Sequence, residues 1–260
     1  MAKVITFGIQ KGGSAKTTSA GIISYLLSLR YKVLACDMDS QGNLTELLMQ
    51  RNIYDFHGRT ILEAMKQKDA RPYIHPVTDT LDMLTAEDLL ATFPRYLYQE
   101  YRGGNPAYVL RDTLRPVMSQ YDFIVIDTPP ALGDQTINAL AASDGVVILY
   151  ETSKFAYSAL ERFVETVVHV QEKLNPKLEV YGILPCMIDS RRTDTKALLD
   201  LAREEYGDLV FQTIIKRRAA TGRLPIHGFT NNPEVVEACE QYVEFLDKEL
   251  MPRVRQKENA

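Results

Sequence analysis

The sequence predicts an α/β fold: a single-domain, doubly wound, mostly parallel sheet with helices on both faces. Three observations predict it. The apolar run at residues 4–9 passes through Gly12 and Gly13 directly into a helical pattern. Later runs, KVLACD (32–37), FIVID (123–127), GVVILY (145–150) and LEVYGIL (178–184), are apolar almost throughout, as strands covered on both faces must be. Helix-like stretches separate them, the alternation that builds parallel sheets.

Each element follows from its local pattern. Residues 18–30 place Ile22, Ile23, Leu26 and Leu27 on one helical face. The strand at 32–37 ends in acid. The stretch 41–116 is less regular, with a helix expected near 60–67 and a strand near 81–84. Its later part, 93–108, holds Tyr96, Tyr98, Tyr101 and Tyr108 and a loop at 103–106, and is read as packing around a helix in preference to an adaptor surface. Strands are expected at 123–127, 145–150, 178–184 and 209–215. Helices are expected at 156–174 and 194–206, with a last one from Pro233. No repeat, low-complexity run or Gly/Ser linker divides the chain, so residues 1–260 read as one domain.

Composition narrows the function classes. With 45% hydrophobic and 25% charged residues, the 260-residue chain has the balance of a soluble globular protein. No apolar stretch approaches the roughly 18 residues of a membrane span, and the start of the chain enters a strand without a signal-like segment. A net charge of −4 gives no global attraction to nucleic acid, so any DNA contact must come from a local patch. Cys36, Cys186 and Cys239 form no C-x-x-C and are odd in number. They are expected as buried free thiols in a reducing cytoplasm.

The chemistry concentrates in three boxes. In the first, Lys11, Gly12, Gly13, Ser14, Ala15, Lys16, Thr17 and Thr18 link strand to helix. Paired glycines let successive N–H groups converge on one anion, and the helix adds the positive end of its dipole. Lys16 is expected on the outer phosphates of a nucleotide and Thr17 on a magnesium ion. The second box is DMDSQGN (37–43), at the carboxyl end of the second strand, the edge where parallel sheets bind ligands. The third is FIVID followed by Thr128-Pro129-Pro130, a strand that delivers Asp127 rigidly to the magnesium site. Taken singly, these are also the features of a Gly-Gly turn, a solvated acidic turn and a strand end meeting solvent. Their combination and spacing carry the reading.

Two basic clusters stand apart. Lys216, Arg217, Arg218 and Arg223 lie in a stretch, 211–228, without acids; Arg191, Arg192 and Lys196 form the other. Such clusters can neutralise DNA phosphates, although many are only solvated faces. No helix-turn-helix is evident, so sequence-specific reading of bases is not expected.

The general phosphate-loop pattern G-x-x-x-x-G-K-[ST] asks for glycine at positions 10 and 15, where this chain has Gln10 and Ala15. What remains, KGGxxKT[ST], resembles the deviant Walker A box of the ParA/MinD superfamily, in the compact ParA/Soj type without an N-terminal winged helix. The resemblance covers nearly the whole chain and is weakest between about 51 and 108. It implies a P-loop ATPase that binds ATP and Mg²⁺ and hydrolyses slowly unless a partner stimulates it. It makes Lys11 the signature lysine that reaches the other subunit's phosphates in an ATP-dependent sandwich homodimer. DMDSQGN is similar to the family's DxDPQGN, which puts Asp39 on the water-activating position and Asp37 beside the magnesium. By the same match Lys11, Lys16 and Asp39 are the catalytic set, and Thr17, Asp37 and Asp127 the metal set.

The segment from Thr128, with Gly133 and Asn138, resembles the family's switch II. Arg191 takes the position of a DNA-contacting arginine. Arg217, Pro225, His227 and Gly228 match a later family segment, in which Ala220 replaces an arginine and Arg223 a glutamate. The partners implied are non-specific DNA and a ParB-like or other adaptor, with a cytoplasmic, nucleoid-associated location and no membrane. Ala15 and Ser40 depart from the family pattern, and the methyl of Ala15 is expected to tighten the loop or alter turnover.

Three rivals share these boxes. A MinD-like membrane ATPase needs a basic amphipathic C-terminal helix, whereas the polar face here carries Glu237, Glu240, Glu244 and Glu249. An iron–sulfur relative needs cysteines near a dimer axis, with an amide ligase of the same fold beside it. A nucleotide-binding scaffold without hydrolysis is the third.

Overall fold

The alternating pattern resolves into one sheet in a computed structural model, which describes residues 1–13, 15–151, 154–188 and 193–256. In chain order the elements are β1 (Lys3–Gly8), α1 (Lys16–Ser28), β2 (Val33–Asp37), α2 (Asn43–Met49), α3 (Ile61–Gln67), β3 (Ile74–Pro76) and β4 (Leu81–Leu84). There follow α4 (Phe93–Gln99), α5 (Val109–Leu114), β5 (Phe123–Asp127), α6 (Asp134–Ala142), β6 (Gly145–Glu151) and α7 (Lys154–Lys173). The last are β7 (Glu179–Ile188), α8 (Thr193–Tyr206), β8 (Ile215–Lys216), α9 (Ala219–His227), α10 (Val235–Phe245) and α11 (Met251–Gln256).

Among the described residues eight strands join in the order β3-β4-β2-β5-β1-β6-β7-β8. Only the β3–β4 pair is antiparallel. The central strands send alternate residues to opposite faces. Val33, Ala35, Phe123 and Val125 join one hydrophobic cluster, and Leu34, Cys36, Ile124 and Ile126 the other. Burial on both faces is why these strands read as unbroken apolar runs. All three cysteines are buried free thiols, as expected.

Register sets the site. Asp37 lies opposite Asp127, and Asp127 opposite Phe7, so β2, β5 and β1 finish side by side at one edge. The Thr128 hydroxyl donates to the Phe7 carbonyl at 2.9 Å and ties the end of β5 to β1. Gly21 allows α2 to lie close to α1: a Cβ there would stand 2.5 Å from a Leu47 methyl. The α3 helix starts at Thr60, whose capping box with Glu63 fixes its first turn.

One expected element is corrected. Residues 209–215 do not form a strand. A turn at Gly207–Leu209 and a single bridge at Val210 precede the two-residue β8. The Gln212 and Thr213 amides donate instead to the Glu249 carboxylate, both at 2.7 Å, which takes that backbone away from the β7 ladder. The last helix is present as expected and runs without a break from α10 through a wider, π-helical segment at Leu246–Leu250 into α11. Pro252 accounts for that widening, because it offers no N–H to residue 248 and its ring crowds that carbonyl.

Candidate functional site

The phosphate loop follows from two left-handed residues. Gly13 has φ 72°, which glycine adopts freely, and Ala15 has φ 62°, which it does not. The left-handed turn at Ala15 brings the chain into α1. The Ala15 carbonyl then accepts the Ser19 amide at 2.8 Å, and no side chain caps the helix start. The first-turn N–H groups are therefore left for an anion, with no acidic residue in that turn to compete. Ser14 lies outside the described residues. Relaxing position 15 is expected to stabilise the fold: Ala15→Gly removes a left-handed penalty of roughly 1–2 kcal/mol and loses part of it to unfolded-chain entropy. Denaturant unfolding of the nucleotide-free protein should show a net gain of about 0.5–1 kcal/mol; a loss would mean the methyl's packing outweighs the strain.

Below the loop sits a buried charge cluster. Lys16 is 6% exposed and its ammonium donates to the Lys11 carbonyl at 2.7 Å, which braces the loop across its width. Burial pushes this lysine down, and Asp127 and Asp39 hold it up. Asp127 is fully buried, and neither of its oxygens accepts a hydrogen bond of good geometry, although the Thr17 hydroxyl acts on the carboxylate from nearby. Burial, then the Asp37 charge, pushes Asp127 far above the carboxylate range. A rigid, buried carboxylate with no well-formed hydrogen bond, next to a threonine at a phosphate loop, fits a magnesium ion that completes its shell with phosphates and water. No cluster of three His, Cys, Asp or Glu side chains capable of holding a metal alone occurs among the described residues, as is usual for such shared sites.

Asp37, expected beside the metal, lies opposite Asp127 and also holds the following turn. One oxygen accepts the Thr45 amide and hydroxyl, both at 2.9 Å, and the other accepts the Asp39 amide at 3.1 Å. Burial raises it to about 7, and those donors pull the other way. With three donors engaged it acts as a brace between β2, the following turn and α2. Asp39 is 8% exposed, accepts the Gln41 amide at 3.0 Å and stands on the cavity wall.

That cavity holds about 860 Å³, within the roughly 300–1,000 Å³ of small-molecule sites. One side is Gly12, Gly13 and Ala15 to Thr18; Asn43 and Glu46 of α2 form another. Lys216, Arg217 and Arg218 close the third side with α9. Three residues expected on a DNA-binding face thus border the same cavity as the phosphate loop. Arg218 pairs with Glu240 at 2.7 Å, and Arg223 makes a two-pronged pair with Glu234, both arms 2.7 Å. The segment carries no acid of its own; Glu234, just before α10, and Glu240, within it, supply them. Arg191 and Arg192 lie outside the described residues.

Lys11 is held within its own chain, its ammonium 2.5 Å from Glu151 at the end of β6. Sequence reasoning missed Glu151, although GVVILYE is an apolar strand ending in acid, as KVLACD and FIVID are. It also missed α9, because Gly222 and Pro225 argue against a helix. Glu46 and Tyr242 of the cavity wall carried no motif at all.

Known proteins match this arrangement. The AAA domain family AAA_31 matches residues 2–180. The chromosome partitioning protein ParA of Myxococcus xanthus is 33% identical over 265 residues, covering 96% of this chain and 88% of that protein. A putative plasmid partition protein of Borrelia burgdorferi, solved with AMPPNP, is 30% identical with a TM-score of 0.77, covering 95% of this chain and 100% of the other. Cobyrinic acid a,c-diamide synthase of Mycobacterium smegmatis, solved with an ATP analogue and magnesium, is 27% identical with a TM-score of 0.76, over 95% and 97% of the two chains. With its deviant phosphate loop and paired strand-end aspartates, the chain belongs to the AAA_31 family of AAA domains and, within it, to the ParA/Soj-type P-loop ATPases.

Proposed function

We propose that this chain is an ATP-driven partition or positioning ATPase. Its ATP-bound form pairs face to face and binds DNA without sequence preference; an adaptor protein that speeds hydrolysis releases it. The observation that carries this reading is the meeting of Lys16, Asp39 and Asp127 beneath an uncapped helix start, open to a nucleotide-sized cavity. The ligands of the Borrelia and Mycobacterium proteins support ATP as substrate and Mg²⁺ as cofactor.

In this reading the first-turn amides of α1 and the Lys16 ammonium hold the phosphates. Thr17 and Asp127 would hold the magnesium ion, which neutralises charge on the phosphate oxygens during transfer. Asp39 orients the attacking water from the cavity wall. Lys11 must leave Glu151 to reach the partner subunit's nucleotide. Lys11→Ala is therefore expected to retain ATP binding and lose ATP-dependent dimerisation by analytical ultracentrifugation; a normal ATP-dependent dimer would refute the role.

For DNA, Lys216 and Arg217 are the exposed cations of the segment with no carboxylate partner among the described residues. Arg218 and Arg223 contribute less charge, offset by Glu240 and Glu234, and Arg191 and Arg192 complete the proposed set. Pairing two subunits doubles the phosphate contacts, so DNA affinity rises with ATP and falls steeply with salt.

Against a membrane role, α10 and the residues after it bury Tyr242, Phe245, Leu246, Leu250 and Val254 in the core, and no helix among the described residues is long and apolar enough to cross a membrane. Co-sedimentation with DNA and with anionic liposomes, each with ATP, tests the reading. DNA binding that depends on ATP is expected; lipid binding without DNA binding would overturn it.

A further inference from the structure

We propose that Thr45 is a positioning residue for ATP hydrolysis, setting Asp39 through Asp37 from the turn that follows β4. The Thr45 hydroxyl donates to an Asp37 oxygen at 2.9 Å and accepts the Ala86 amide at 2.9 Å. The direction is fixed, because an amide can only donate and the hydroxyl proton must then point to the carboxylate. The other Asp37 oxygen accepts the Asp39 amide, and Asp39 accepts the Gln41 amide. A continuous chain of hydrogen bonds thus runs from Ala86 through Thr45 and Asp37 to the backbone that presents Asp39.

Capping alone would need less. The Thr45 amide already satisfies the start of α2 through Asp37 at 2.9 Å. The hydroxyl adds a link out of α2 to a strand that contributes nothing else to the cavity. Thr45 is fully buried, as is Asp37, so no water substitutes for the link. The same helix packs on α1 beside Gly21. Thr45 therefore joins the acid at the end of β2 to the β4 turn, from a helix whose Leu44 and Leu47 pack on the phosphate-loop helix. Displacing a reacting group by about 1 Å can cost up to roughly 10²-fold in rate, which sets the scale for losing the link.

The inference rests on the reading of Asp39 as the water-orienting group, and the test separates the two. Thr45→Val, Thr45→Ala, Thr45→Ser and Asp39→Ala are compared by steady-state ATPase, ATP titration and thermal unfolding of the full chain. Thr45→Val is expected to lower kcat at least tenfold, with KM and ATP affinity within about twofold, and Thr45→Ser to recover most of kcat. Wild-type kcat in Thr45→Val, equal losses in the Val and Ser variants, or a parallel loss of ATP affinity would overturn the proposal. Should Thr45→Val not fold, the kcat of Thr45→Ala decides by the same threshold. An inactive Asp39→Ala beside a fully active Thr45→Val refutes Thr45 alone, whereas an active Asp39→Ala removes the reading beneath it.

Discussion

Asp39→Ala is expected to lower ATP turnover by at least about 10²-fold, the usual contribution of a positioned acid–base group, while ATP still binds. Asp39 stands at the cavity wall, 8% exposed, and its visible duty within the chain is one hydrogen bond from Gln41. The atoms that would grip phosphate are elsewhere, in the first turn of α1 and at the Lys16 ammonium. Removing Asp39 also removes a negative charge from the wall of the cavity, which would otherwise repel the phosphates of the nucleotide. The expected signature is thus a split: kcat collapses while affinity holds or improves. Phosphate release and nucleotide titration on the same preparation read both quantities. Unchanged release would end the catalytic assignment, and lost binding would make Asp39 a structural residue of the loop.

The parts of the site legible in the sequence are those set by local chemistry. Gly12, Gly13, Lys16 and Thr17 sit in one loop, and the apolar runs ending in Asp37 and Asp127 fix both the strands and their acidic ends. Parallel order then makes the two acids neighbours without further information. What stayed hidden depends on contacts distant in sequence. The 209–215 run has every mark of a strand, yet Glu249 takes its amides. The 211–228 segment looked like an exposed basic face because its counter-charges, Glu234 and Glu240, lie further along the chain, just before and within α10. The motif match already gave Asp37 and Asp39 different roles, but the bonds by which Asp37 also braces α2 depend on Thr45, eight residues beyond it.

Ala15 shows the opposite case. The missing glycine was visible as a departure in the sequence, and the left-handed φ of 62° gives it a physical meaning as strain rather than a lost function. The likeness to an amide-forming enzyme with the same fold limits how far the boxes alone reach. Phosphate loop and paired aspartates describe nucleotide chemistry; what the energy is coupled to lies in surfaces outside them.

Asp127→Asn is expected to stabilise the nucleotide-free protein while abolishing its response to ATP and magnesium. Near neutral pH this fully buried carboxyl must hold a proton that the unfolded chain releases, a cost to the fold that a neutral amide of the same shape does not carry. The pH dependence follows with a definite sign. Burial raises Asp127 far above its ordinary range, and raises Asp37 from 3.8 to about 7. Between the unfolded and folded values the native state keeps protons that the unfolded chain has released. Stability of the nucleotide-free protein therefore falls as pH rises from about 4 through 7. Asp127→Asn should flatten that fall, leaving the part due to Asp37. With saturating ATP and magnesium the order reverses: the wild type gains binding free energy as RT ln(1 + [L]/Kd), and the variant gains little. Thermal unfolding at pH 5.5 and 7.5, with and without ATP and magnesium, measures all four corners. A variant less stable than wild type without nucleotide, or one stabilised equally by ATP and magnesium, would show that Asp127 is a structural partner rather than the seat of the cation.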